Sequence, residues 1–159
     1  MNKKFKECLT EVYLGEQAGE MIFESLLATA RDDNQRYIFS NMVQLETEGK
    51  AIMRPLLVKL GIPIEENKFL RDQGLEIAES FKGMSFKKQF ENIYQSVKNY
   101  YLPQYEELST LVDEEDSEAY YIANFMGEHE RSILLAADNI IKDKQDPVKP
   151  IRDLLKFPI

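Results

Sequence analysis

The stretch Met42-Val43-Gln44-Leu45-Glu46-Thr47-Glu48-Gly49-Lys50 places an acid inside an apolar helical stripe. At helical spacing, one face carries Phe39, Met42, Glu46, Gly49, Met53, Leu56 and Leu60. A carboxylate in the middle of such a face is costly to bury unless it is paired, protonated or bound to a metal ion. Glu46 therefore marks both a buried helix face and a candidate functional site.

Apolar residues recur at intervals of three and four along the chain, and no alternating run of β-branched residues predicts a strand. The spacing predicts four long helices, over residues 4–31, 35–60, 86–112 and 117–142. The segment Asp32-Asp33-Asn34 supplies capping chemistry before the second helix, and Gly61 fits the position after its end. Pro103 predicts a kink in the third helix.

The connections between these helices predict their arrangement. Short links make helices one and two a hairpin, and helices three and four a second hairpin. The longer connection at 64–83 contains a short helix over 72–82, and residues 151–157 form a short docking helix or tail. The expected fold is an all-α, up-down four-helix bundle with a crossover between helices two and three, formed by one domain spanning residues 1–159.

Composition narrows the range of partners. The net charge is −8, which disfavours nucleic acid and anionic membrane surfaces, because both require concentrated basic surface. No stretch approaches the ~18 consecutive apolar residues of a membrane span, and the N-terminus does not read as a signal peptide. Cys8 is the one cysteine, so no internal disulfide forms. We expect a cytoplasmic protein with neither a nucleic-acid nor a membrane partner.

Three segments carry a family resemblance: Gly15-Glu16-Gln17-Ala18-Gly19-Glu20, Leu45-Glu46-Thr47-Glu48-Gly49 and Met126-Gly127-Glu128-His129-Glu130. Together with the helix order, they resemble the ferritin-like superfamily of the rubrerythrin, bacterioferritin and di-iron oxygenase type. The resemblance implies a bundle core that binds metal through one Glu from each of two helices and a Glu-x-x-His pair from each of the others.

The chain departs from that pattern at several positions. Gly49 stands where the resemblance implies a histidine, and Met126 stands where it implies a glutamate. The third helix presents only apolar and tyrosyl side chains near residues 93–97. The implied ligand set is therefore reduced to Glu16 and/or Glu20, Glu46 and His129.

The reduced set leads to competing functional expectations. One is a single iron or manganese ion with open positions for O2 or a small-molecule substrate, in an oxidoreductase or oxygen-handling protein. The alternative is a metal-free binding or interaction protein, in which Glu46 and His129 form a structural polar core. A weaker third option is a non-redox enzyme with Glu46 and His129 as an acid–base pair. We also expect a homodimer through the tyrosine-rich third and fourth helices.

The orientation of several side chains stays open at this level. Glu16 and Glu20 are one turn apart and would repel each other, so a cation or proton lies between them or one faces solvent. A register change in the fourth helix would turn Glu128 inward, balanced by Arg131 without metal. Gly49 either opens a small-molecule pocket or allows close helix packing.

Overall fold

The computed structural model describes residues 2–159, and all regular structure in that range is helical. This confirms the all-α prediction. The helices are α1 Lys3–Ala28, α2 Asp33–Lys59, α3 Lys68–Ser80, α4 Phe86–Ser96, a π-helical turn Val97–Tyr101, α5 Leu102–Thr110, α6 Ser117–Ile141 and α7 Lys149–Arg152. No helix among residues 2–159 has both the length and the apolar character that crossing a membrane requires.

Local capping explains where several helices begin and end. The Asp32 side chain accepts a hydrogen bond from the backbone N–H of Gln35 at 2.8 Å, which starts α2 two residues before the predicted position. Gly61, with φ of +71°, follows the end of α2 as expected. Helix α3 begins at Lys68 rather than 72, because the side chain of Asn67 caps it.

The third predicted helix is a continuous rod of α4, the π-helical turn and α5. Pro103 lies in the first turn of α5. A proline has no N–H to donate, and its ring crowds the carbonyl four residues earlier. The sequence predicted a kink here, and the structure shows a widened, π-helical turn directly before α5, which accommodates Pro103.

Helix α1 runs antiparallel to α2 and α5, and α6 runs antiparallel to the same two helices. Helix α3 packs on α1, and α7 packs on α6 and α2. Two contacts for each pair of helices fix these directions. For α1 and α2 they are Thr47–Glu20 and Arg54–Tyr13, and for α1 and α5 they are Gln104–Glu11 and Asn2–Leu111. For α2 and α6 they are Lys59–Glu118 and Gly49–His129, and for the α4–α5 rod and α6 they are Arg131–Glu106 and Lys87–Asp143.

A polar layer divides the buried interior. One apolar cluster surrounds Phe39 and Phe90, and a second surrounds Phe5 and Leu108. Between them, α1, α2 and α6 contribute buried polar side chains from the middle of each helix. These are Glu16, Gln17, Glu20, Glu46, Lys50, His129, Glu130 and Ser132.

The C-terminal segment differs from its prediction. Helix α7 is a single turn that begins at Lys149, whereas the sequence predicted a helix or tail over 151–157. The buried carboxylate of Glu48 accepts hydrogen bonds from the backbone N–H groups of Lys156 and Phe157, at 2.6 and 2.8 Å. Because those N–H groups bond to a side chain of α2, this part of the chain is docked without being helical.

Candidate metal centre

Four side chains of the polar layer form what we name the carboxylate–histidine cluster: Glu16, Glu46, His129 and Glu130. Glu16 and His129 are fully buried, and Glu46 and Glu130 nearly so. Glu16 Oε2 lies 3.1 Å from His129 Nε2, and Glu130 Oε2 lies 3.7 Å from His129 Nδ1. One imidazole therefore lies between two buried carboxylates.

Several atoms of this cluster have no hydrogen-bond partner in the described chain. They are Glu16 Oε2 and both ring nitrogens of His129. The 3.1 Å approach of Oε2 to Nε2 is close enough for an ion pair, but its angle is not that of a hydrogen bond. Buried polar atoms without partners are rare and costly, so this group points to a bound cation or to rearrangement around a shared proton.

Tyr105 fixes the second oxygen of Glu16. Its buried hydroxyl donates a hydrogen bond to Glu16 Oε1 at 2.7 Å. Its ring also stacks on that of His129, with centroids 6.2 Å apart. Tyr105 belongs to α5 and lies four residues after the end of the π-helical turn.

Two glycines make room for the carboxylates. A Cβ atom at Gly49 would overlap Glu16 Oε2 and lie 3.2 Å from His129 Nε2. A Cβ atom at Gly19 would lie 2.7 Å from the nearer oxygen of Glu46. The close approach at Gly49 therefore involves the cluster itself, because the atoms nearest to the added Cβ belong to Glu16 and His129 and none belongs to a Phe or Tyr.

The electrostatics of the cluster favour the uptake of positive charge. Burial raises the pKa of Glu46 well above its ordinary value, and the charge of Glu16 raises it further. Burial also raises the pKa of Glu130, although His129 opposes that shift. Burial lowers the pKa of His129, but the charges of Glu16 and Glu46 and the proximity of Glu130 outweigh this effect and raise it well above normal. In residues 2–159, no lysine or arginine forms an ion pair with these carboxylates.

Glu20 lies in a separate network, which we name the ion-pair cluster: Glu20, Lys50, Glu66 and Arg71. Lys50 Nζ and Arg71 Nη1 lie 2.5 and 3.3 Å from Glu20 Oε2, and Thr47 donates to Oε1 at 2.6 Å. Burial raises the pKa of Glu20, but the hydrogen bonds from Lys50 and Thr47 outweigh it, so the net shift is downward. Both oxygens of Glu20 are thus engaged by groups of the protein.

The structure brings together two of the four predicted ligands, Glu16 and His129, in a group with Glu130 whose ligand atoms lie within 4.8 Å of one another. Glu46 does not belong to that group, although it is buried and its pKa responds to the charges of Glu16 and His129. Glu20 lies in the ion-pair cluster. Sequence reasoning missed Glu130. A signal was present, because Glu130 shares helical spacing with the buried residues Met126 and Ile133.

The alternative register of the fourth helix is not adopted. Glu128 is exposed and pairs with Arg131, whose guanidinium also reaches Glu106 at 2.6 Å. The arginine considered as an internal counter-charge therefore lies at the surface, and it leaves the buried carboxylates uncompensated.

A cavity of about 410 Å³ lies beside the cluster. Glu46, Glu130 and Tyr105 line it, whereas Glu16 and His129 do not. Gly15 and Gly19 form part of its wall on α1. The cluster therefore has an inner side, sealed by packing, and an outer side that faces the cavity.

The chain matches no protein-family model, no curated protein and no solved structure. The ferritin-like resemblance accordingly stays a prediction. Function is inferred below from the geometry and charge of the carboxylate–histidine cluster.

Proposed function

We propose that the carboxylate–histidine cluster binds one divalent metal ion, iron or manganese, in an oxidoreductase or oxygen-handling protein. One observation carries this proposal. Glu16 Oε2 and the His129 nitrogens are buried without hydrogen-bond partners, and a ligand atom from each of Glu16, His129 and Glu130 lies within 4.8 Å of the others. A cation between Glu16 Oε2 and His129 Nε2 would satisfy these two atoms and balance carboxylate charge, and Glu130 would accept the proton on Nδ1.

The separation of the inner ligands supports a common ion. Two ligands at right angles on an ion with bonds of ~2.1 Å are ~3.0 Å apart, and Glu16 Oε2 and His129 Nε2 are 3.1 Å apart. Gly49 keeps this space free of a side chain. Glu130 lies 3.7 Å from the other ring nitrogen, where a carboxylate accepts its proton and orients the imidazole.

The ligand chemistry supports iron or manganese. Carboxylates suit hard ions such as Mn²⁺, imidazole suits iron and zinc, and no thiolate is present in the cluster to favour a softer ion. Either proposed ion supplies electron exchange and O2 binding at positions that the protein leaves open. Glu46 contributes further negative charge on the cavity side.

We propose further that the fold is a ferritin-like four-helix bundle. Support comes from the antiparallel packing of α1 with α2 and α5, and of α6 with the same helices. The connection that contains α3 corresponds to the predicted crossover. The position of the polar layer midway along these helices also agrees with a metal site in a bundle core.

A metal-free protein is the second candidate, and the proton affinity of the cluster favours it. The pKa values of Glu46 and His129 both lie well above normal, for the reasons of burial and neighbouring charge given above. Tyr105 already stabilises one oxygen of Glu16. Protons could then neutralise the cluster, leaving Glu46 and His129 as a polar core in a binding or interaction protein.

Metal analysis separates the two candidates. Protein is purified without oxygen from iron- and manganese-supplemented cells, and its metal content is measured by elemental analysis. The first candidate predicts stoichiometric metal in the wild type. Glu16→Gln and His129→Gln should lower metal affinity by at least ~10-fold, because each removes a ligand.

Glu20→Gln is the matched control. It removes a buried carboxylate one turn away on the same helix, yet Glu20 belongs to the ion-pair cluster. We expect this variant to lose stability while it keeps its metal. Wild-type protein that stays far below stoichiometric metal after reconstitution would instead support the metal-free candidate.

A further inference from the structure

The cavity beside the cluster has the size and the walls of a small-molecule site. Its volume of about 410 Å³ falls within the range of ~300–1,000 Å³ typical of ligand pockets. Residues of α1 to α6 and of the π-helical turn form its walls. The apolar part of the wall includes Ile22, Phe23, Phe81, Ile93, Val97 and Ile133.

Polarity changes from the mouth of the cavity to its base. Ser80 and Gln95 line it and are exposed, and Asn92 is half-buried beside them. Glu46 and Glu130 line it as well, with 4% and 5% exposure, so they mark its buried end. No lysine or arginine lines the cavity within the described chain.

We propose that this cavity binds a small, mostly apolar molecule that carries no negative charge, and presents it to Glu46 and Glu130. The apolar walls stabilise such a molecule by removing its hydrocarbon surface from water. Neutral amide and hydroxyl groups at the mouth can hydrogen-bond to one polar end. That the bound molecule is the substrate of the metal centre rests on the function proposed above, whereas the binding itself does not.

The absence of negative charge follows from the acids at the base. An anionic ligand would lose its hydration on entering the cavity, which is costly for a charge that finds no compensating partner, and an ionised carboxylate at the base would add repulsion. The lining residues offer no cation to compensate. The net charge of −8 acts in the same direction over longer distances.

A pair of probes of equal chain length tests the proposal: 1-hexanol and hexanoate. Protein with ¹³C-labelled isoleucine δ1-methyl groups is titrated with each, at ~0.15 M salt to screen long-range charge. Ile22, Ile77, Ile93 and Ile133 line the cavity. We expect saturable shifts of these methyl signals with 1-hexanol, and at least ten-fold weaker binding of hexanoate. The isoleucines outside the cavity serve as internal controls, and include Ile38, Ile122 and Ile151.

Two substitutions on α1 locate the binding. Ile22 and Leu27 are both partly buried and pack against the same apolar cluster, but only Ile22 lines this cavity. Ile22→Trp should fill the cavity and weaken 1-hexanol binding at least ten-fold. Leu27→Trp should leave that binding within two-fold of the wild type.

Two results would overturn the proposal. Equal affinity for hexanoate would refute the charge selectivity, and unsaturable shifts or wild-type binding by Ile22→Trp would refute the site. The titrations are run with and without added zinc, a diamagnetic ion. Saturable 1-hexanol binding by protein that takes up neither iron nor manganese in the elemental analysis would remove the metal function alone, and uptake of iron or manganese without 1-hexanol binding would remove this inference alone.

Discussion

Glu16 and Glu20 lie one turn apart on α1, both are buried, and they have opposite electrostatic environments. Glu20 contacts Lys50, Arg71 and Thr47, which engage both of its oxygens. Glu16 receives one hydrogen bond from Tyr105 and otherwise faces His129, with Oε2 unsatisfied.

The difference shows how one helix serves two purposes within a single turn. In the ion-pair cluster, the protein supplies its own cations, Lys50 from α2 and Arg71 from α3, so Glu20 is structural. In the carboxylate–histidine cluster, two buried carboxylates flank one imidazole, a third is buried nearby, and none has a lysine or arginine partner among residues 2–159. The missing positive charge must come from protons or from a bound ion.

Removing the internal cation should have the largest effect on stability. Lys50→Met leaves Glu20 buried with Arg71, at 3.3 Å, as its remaining cationic partner. We expect the free energy of unfolding, measured in urea at pH 7, to fall by ~3 kcal/mol, because breaking a buried ion pair strands a charge. Metal content should not change.

A double variant controls for the loss of packing. Glu20→Met combined with Lys50→Met replaces both charges with apolar groups, and such replacements are often close to neutral. It should recover most of the stability lost by Lys50→Met. If Lys50→Met lowered the free energy of unfolding by less than ~1 kcal/mol, the Lys50–Glu20 pair would be no stronger than a surface ion pair. Glu20 would then not differ from Glu16 in being stabilised by the protein's own cations.

Tyr105→Phe tests the one hydrogen bond that stabilises Glu16. Removing the hydroxyl leaves Oε1 of a buried carboxylate without its donor, so we expect a loss of ~2 kcal/mol in the metal-free protein. Thermal or urea unfolding after chelation gives the value. Tyr101→Phe is the control, because Tyr101 is half-buried and its hydroxyl makes no hydrogen bond among the described residues. An equal loss of unfolding free energy in Tyr105→Phe and Tyr101→Phe would show that the hydrogen bond to Glu16 does not stabilise the protein.

Gly49→Ala should affect metal binding more than stability. The added Cβ overlaps Glu16 Oε2, so the carboxylate must shift, and metal affinity should fall at least ~10-fold. Better helix propensity, worth ~1 kcal/mol, offsets part of the strain.

Gly127→Ala is the matched control on α6. The nearest atom to a Cβ at Gly127 is Arg131 Nη2, at 3.9 Å, so the methyl group fits without displacement. This variant should gain up to ~1 kcal/mol and keep its metal. Metal retention by Gly49→Ala would show that Glu16 is not a ligand in the observed position.

The pH dependence of the ion-pair cluster should give the smallest signal. The folded-state pKa of Glu20 lies below its ordinary value because Lys50 and Thr47 hydrogen-bond to the carboxylate and outweigh its burial. The unfolded chain therefore binds more protons as the pH falls below about 4.5, and the contribution of Glu20 to stability is lost over that range. The stability difference between the wild type and Glu20→Gln should be full at pH 6–7 and should narrow in acid. A difference independent of pH would contradict the assigned charge pairing.

Local sequence predicted the helices well, because apolar spacing and caps act within a few residues. The long helices begin and end within a few residues of their predicted bounds, and a π-helical turn lies beside Pro103, where the sequence predicted a kink. The helix start at Lys68 and the docked segment after α7 were predicted less well. The latter depends on Glu48, which is 108 residues distant from Lys156 in sequence.

The candidate site was predictable only in part. Periodicity identified Glu46 and His129 as acid and imidazole on buried faces, and the structure places both there. It treated Glu16 and Glu20 as equivalent, since four residues separate them on one face. It overlooked Glu130, which shares its face with Met126 and Ile133.

The sequence by itself determined the all-helical order, the position of Glu46 and His129 on apolar faces and the absence of a histidine at Gly49, because these depend on spacing along one helix. Only the tertiary structure decided which acid receives a cation from the protein. Lys50 and Arg71 come from helices other than α1, and their reach depends on how α2 and α3 pack against it. Charge compensation depends on distances between helices, and these distances cannot be deduced from the spacing of residues within one helix.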